Sequence, residues 1–166
     1  MKYLSFKHYF YIIMLVVILF PGKIFAQSKS VFLNMELGRT SYQEALRQIN
    51  NSKYKNSYKI QNGSIYIVSS SVAQNDGTKW DHLDIHFSEG FINNIHFHST
   101  SSAHTAEYIN QRYQQLKESF QSSNSYSYWY NEDNQLFFKY NGDCAALNVF
   151  YSEAAGRVVE VQYIDL

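Results

Sequence analysis

Leu83-Asp84-Ile85-His86-Phe87-Ser88-Glu89 returns in the second half of the chain as Leu147-Asn148-Val149-Phe150-Tyr151-Ser152-Glu153. Leu, Ile or Val, and Phe or Tyr occupy alternate positions in both copies, the period of a half-buried strand running into a Ser-Glu turn. Each copy leads into a further alternating stretch, Phe91 to His98 and Arg157 to Ile164. Upstream of each lie a helical pattern and two shorter strand patterns. A repeat of this kind speaks to architecture before it speaks to chemistry.

The helical patterns are specific. Ser41-Tyr42-Gln43-Glu44 reads as a capping box, with the Ser side chain taking one free N–H and Glu44 reaching back to another. It opens a short helix whose inner face is Tyr42, Ala45, Leu46 and Ile49, ended by Asn50-Asn51-Ser52. Ala106, Ile109, Tyr113, Leu116 and Phe120 form one apolar stripe of a longer second helix. Val31 to Gly38 reads as an extended lead-in. Asn62-Gly63, between Tyr58-x-Ile60 and Ile65-x-Ile67, marks a tight hairpin. A second hairpin runs from Trp80 to His98, with Ser88-Glu89-Gly90 as a three-residue loop and Gly90 left-handed. Strands then follow near 126–130, 135–140, 145–151 and 157–164.

The expected fold is therefore α+β: two tandem units, about 31–98 and 99–166, each of one helix followed by a four-stranded antiparallel sheet, packed as one domain. No Pro- or Gly-rich linker separates them. This order of elements resembles the beta-lactamase-inhibitor proteins and related small periplasmic proteins. The resemblance implies a sheet whose open face holds a protein partner.

Residues 1–26 read as a secretory signal peptide: Lys2, Lys7 and His8 lead, Tyr9 to Phe20 is apolar, Pro21-Gly22 breaks it, and Ala26 precedes the cut. The apolar run is shorter than the ~20 residues that span a bilayer. Its removal leaves 27–166 as one globular domain, exported to the periplasm or secreted. Three basic residues, Lys2, Lys7 and Lys23, leave with the leader while every acid stays, so the remaining chain is acidic. That balance argues against nucleic acid as a partner. The single cysteine, Cys144, has no disulfide partner, so stability must come from the apolar core.

Two side-chain clusters carry the functional expectation. With Leu83, Ile85 and Phe87 inward, Trp80, His82, Asp84 and His86 face outward, and Ile95 and Phe97 send His96 and His98 to the same face. Under the three-residue loop, His82 stands opposite His96 and Trp80 opposite His98, with paired Cβ atoms about 5 Å apart. His82, His96 and His98 then form a geometry able to hold Zn²⁺, with Asp84 orienting. The plainer reading is a polar solvated sheet face. The second cluster is Tyr126, Tyr128 and Tyr130, alternate residues of one strand, set on the outer face with Phe137 and Lys139 while Trp129, Leu136, Phe138 and Tyr140 face the core. Exposed tyrosines are rigid contact area with a polar tip, or they simply favour strands.

No Gly-x-Ser-x-Gly turn, phosphate loop, dinucleotide fingerprint or cysteine pair occurs. Cys144 reads as a structural thiol rather than a nucleophile. The expected function is a non-catalytic binding module, with Trp80, His86, Tyr126, Tyr128 and Tyr130 meeting an envelope or extracellular protein. The alternative is a metal-binding protein or zinc enzyme using His82, His96 and His98.

Overall fold

The computed structural model describes residues 30–123, 126–132, 135–140 and 143–166; for Ser70, Trp129 to Glu132 and Tyr140 it describes the backbone alone. The leader at 1–26 lies outside the described residues. The elements are α1 (Tyr42–Asn50), β1 (Tyr58–Gln61), β2 (Ser64–Ala73), β3 (Lys79–Ser88), β4 (Phe91–Thr100), α2 (Ala106–Ser122), β5 (Ser127–Glu132), β6 (Gln135–Tyr140), β7 (Asp143–Ser152) and β8 (Gly156–Asp165).

All eight strands form one antiparallel sheet in the order β1-β2-β3-β4-β8-β7-β6-β5. This corrects the expected pair of helix-plus-four-strand units: among the described residues a single sheet predominates, and the two helices are a minor component. Two physical facts dissolve the units. First, β4 and β8 pair along a ladder from Asn94↔Ile164 to Thr100↔Val158, so neither half has a sheet of its own. Left apart, each of those long strands would present a row of unpaired backbone groups. Second, the helices do not play equivalent parts. The longer α2 packs on β5, β7 and β8, and its Phe120 ring stacks 5.0 Å from that of Phe138 on β6. The nine-residue α1 fully buries only Ala45 and Ile49.

The cover that α1 lacks comes from the segment expected to be extended. Instead, Phe32 and Met35 bridge across a tight turn, with Leu33 and Asn34 in the left-handed region (φ 45° and 59°). That turn drives both Phe32 and Met35 fully into the core. Phe32 meets Phe97 edge-on at 6.1 Å, and Phe97 in turn meets Trp80 at 5.9 Å and Tyr163 at 6.2 Å. One apolar core thus runs along one face of the sheet, under both helices and the lead-in turn.

Local chemistry explains the ends. Ser41 Oγ accepts from Glu44 N–H at 3.3 Å and caps α1, but the reciprocal half of the expected box is missing. The Glu44 carboxylate pairs instead with Arg47 at 2.6 Å and with Gln48 at 3.0 Å. Thr105 caps α2 by accepting from Tyr108 N–H. Asn62 and Gly63 make a two-residue turn at φ 50° and 77°, closing Gln61↔Ser64.

Candidate functional site

The face of the sheet opposite the core carries no described helix, and cross-strand register arranges it in rows. One row runs Val68, His82, His98, Glu160, Asn148 across β2, β3, β4, β8 and β7. The next runs Tyr66, Asp84, His96, Gln162, Ala146. Directly paired residues in an antiparallel sheet share a face. So the histidines of β3 and β4 meet a carboxylate and two amides from the far half of the chain.

The register differs from expectation by two residues: His82 faces His98, and Asp84 faces His96. The turn is a two-residue one, with Glu89 and Gly90 both left-handed (φ 54° and 84°), and Ser88 pairs with Phe91. A bulge between His86 and Phe87 supplies the remaining offset.

The rings respond to this register by stacking. His82 lies on His98 at 4.6 Å and 14°, and His98 lies beside His96 at 4.9 Å and 25°. His98 Nε2 is 3.5 Å from Asp84, and His96 reaches Asp84 through Nδ1 at 3.8 Å and Glu160 through Nε2 at 2.8 Å. The other Glu160 oxygen accepts from Gln162 at 3.2 Å and from Asn148 at 3.4 Å. Ring nitrogens bind metals in the plane of the ring, so near-parallel stacked imidazoles aim their lone pairs past one another. Among the described residues, no group of three or more His, Cys, Asp or Glu side chains is placed to hold a metal ion.

Electrostatics follow the contacts. Burial raises the Glu160 carboxyl, but the hydrogen bond and charge of His96, with help from Asn148 and Gln162, hold it below the ordinary value. For Asp84 the same contest of burial against His98, His96 and His86 ends below the ordinary value. His82 is pushed down, first by burial and then by His98, against the pull of Asp81 and Asp84. His86 is pushed down by burial, with Asp84 opposing and His96 assisting. It sits one row further along, 2.9 Å from Ser64 Oγ.

A pH dependence of stability follows, with a definite sign. His82 and His86 take up protons less readily folded than unfolded, so their contribution is complete above the ordinary imidazole value of 6.5 and is lost as pH falls through lower folded values. The contributions of Asp84 and Glu160 are complete above 3.8 and 4.5 and are lost as pH falls through their still lower folded values. Both groups act in one direction. The urea midpoint should therefore drop in two stages on acidification, and a His82→Gln/His86→Gln variant should lose the first stage alone. A midpoint that rises between neutral and mildly acidic pH would show the sign to be wrong.

These side chains border a groove of about 370 Å³. His82, Asp84, His96, His98 and Glu160 line it together with the next sheet row, Thr100, Val158 and Phe150, and with Ser102, Ser152, Ala154 and Ala155 at the strand ends and the β7–β8 turn. Phe150 is 40% exposed.

Other expected site residues are placed differently. Trp80 is not on this face: it is only 1% exposed, in the core. An irregularity in the β2–β3 pairing between Val68 and Val72 interrupts the alternation on which the outward reading depended. The Trp80 Nε1–H donates to Gln74 at 2.8 Å, and the Arg112 guanidinium lies 4.6 Å from the ring centre. Tyr126 is also buried, at 5%, against Phe120 and Tyr163, because it precedes β5 rather than belonging to its outer face. Tyr128 is exposed, edge-on to Phe138 on the core side. The register of β5 shifts between Tyr128 and Tyr130, so the three tyrosines do not form an alternating row. The side chain of Tyr130 lies outside the described residues, as do those of Trp129 and Tyr140. Cys144 is buried, and burial pushes its thiol up, against a backbone hydrogen bond at Phe138 and the charge of Lys139.

Glu160, Phe150 and the β7–β8 turn are the parts of the groove that sequence reasoning missed. A glutamate inside Val158-Val159-Glu160-Val161 was the available signal, since a charge in an apolar strand needs a partner. Among the described residues, no helix is long and apolar enough to cross a membrane. Compared with known proteins, the chain matches no family model, no curated protein and no solved structure.

Proposed function

We propose that this chain is an exported, non-catalytic binding module of the cell envelope that seats a protein partner in the groove over β3, β4, β8 and β7. The observation that carries this reading is the groove itself, whose floor is a network of imidazoles and carboxylates already bonded to one another. Side chains fixed in advance lose little entropy when a partner docks, which suits recognition. Phe150, one row along the same sheet face, adds a rigid aromatic contact next to that polar network. Export rests on the leader read at 1–26. An open sheet face seating a protein is also what the resemblance to beta-lactamase-inhibitor proteins implies.

Photocrosslinking in living cells tests the reading. Benzoylphenylalanine replacing Phe150 should yield one discrete crosslinked product, while the same group replacing Glu118, exposed on α2, should yield none. Equal labelling from both positions, or none from Phe150, would remove the groove as the contact surface.

A further inference from the structure

Resting on that reading, we infer that the groove is a proton-sensitive seat: it holds its partner near neutral pH and releases it on mild acidification, with His82 as the deciding ring. Three imidazoles, His82, His98 and His96, stack in succession with centroids 4.6 and 4.9 Å apart. Two carboxylates serve them. Asp84 lies 3.5 Å from His98 and 3.8 Å from His96, and Glu160 lies 2.8 Å from His96. These two can balance two imidazolium charges, on His96 and His98. A third proton, on His82, sets like charges on adjoining rings. The groups around His82 do not undo that count. Asp81, beside it on β3, is held by His104 at 3.1 Å. On β2 its paired residue is the apolar Val68, while Tyr66 meets His86 edge-on and has Lys59 of β1 over its ring. From α2, Arg112 is turned to the Trp80 ring and the Lys79 carbonyl.

The partner sets the sign. His82 is half-buried, in the row between exposed Val68 and His98. A protein that touches Phe150 and spans the groove takes the remaining water from this ring. Desolvation disfavours a charged imidazole, so docking opposes protonation of His82. By reciprocity, protonation of His82 opposes docking, and affinity falls as pH falls. The free groove already leans this way: burial and then His98 push the ring down, against Asp81 and Asp84. His86 is pushed down too, but it does not border the groove, so His82 is the ring that docking covers. A partner carboxylate on His82 would reverse the sign. It would have to enter beside Asp84 and Glu160, whose contacts hold both below ordinary carboxyl values and so ionised near neutral pH.

The Phe150 crosslink, recorded in permeabilised cells buffered at a series of pH values, tests this. With benzoylphenylalanine at that position as the probe, the yield should fall about five-fold or more between about pH 7.5 and about pH 5.5. His82→Gln should hold a pH-independent yield. So should His82→Phe, which keeps a flat ring against His98 and removes the proton. Melting curves at both ends of the range check that parent and variants stay folded. A parent yield that is flat, or that rises on acidification, would overturn the inference and leave the groove as the contact surface. A fall that persists in both variants would overturn it as well, since the titrating group would lie elsewhere. Unfolding of the parent at the acidic end would do the same, because release would then be loss of structure. Absence of a crosslink at every pH would remove the groove reading, and the inference with it.

Discussion

Trp80→Ala should lower the stability of the folded chain by about 3–5 kcal/mol, among the largest effects of any single truncation here. The ring is buried among core groups: Phe97 at 5.9 Å on one side and the Arg112 guanidinium at 4.6 Å on another. Removal opens a cavity that flanking strands cannot close. It also strands buried Gln74, whose Oε1 accepts from the indole at 2.8 Å while its Nε2 donates to Tyr163 at 2.9 Å. An orphaned buried amide adds about 1–3 kcal/mol. Urea denaturation should show a lower midpoint at unchanged slope, with a melting temperature lower by on the order of 10 °C. Trp80→Phe should cost less, because it keeps most of the volume and loses only the Gln74 bond. The opposite pattern, stability within about 0.5 kcal/mol of the parent while partner binding is abolished, would return Trp80 to the surface.

Gly156→Ala is the second change expected to act strongly, and it links stability to the groove. Gly156 closes the β7–β8 turn opposite Ser152, with φ at 71°, where an L side chain costs about 1–2 kcal/mol. A Cβ there would also overlap Ser101 Oγ. That hydroxyl is not free to swing aside: it accepts from Arg157 N–H at 2.8 Å and donates to Ala155 C=O at 3.3 Å. Each such bond contributes roughly 0.5–1.5 kcal/mol, so the expected cost is about 2–4 kcal/mol. Because Ala154, Ala155 and Ser152 line the groove, crosslinking from Phe150 should fall as well. A double-mutant cycle decides the cause. If Ser101 is the obstacle, Gly156→Ala combined with Ser101→Ala should cost clearly less than the two single changes summed. Strict additivity would leave backbone strain as the sole source.

Much of this site was readable one residue at a time. Alternation through Leu83, Ile85, Ile95 and Phe97 sends His82, Asp84, His96 and His98 to one face, and the structure has them there. The reading failed where strand geometry departs from a strict period of two. The irregularity opposite Trp80, the bulge at His86 and the shift after Tyr128 each change a face or a register. A bulge depends on which residues the partner strand offers, and that information is not local. Tyr126 failed for a simpler reason: an aromatic residue just outside a strand goes wherever the core has room.

What the chain determined by itself was periodic and local: which stretches are strands and helices, which turns carry glycine or asparagine, and which polar residues oppose the apolar face. Those properties follow from side-chain alternation and backbone sterics within a few residues. What only the tertiary structure decided was adjacency. That β4 pairs with β8 brings Glu160 to 2.8 Å from His96, 64 residues away along the chain. Strand adjacency of this kind is chosen by which pairing satisfies long edges and buries the most apolar surface at once. It is a property of the whole chain, and it is what turns a row of outward histidines into a groove.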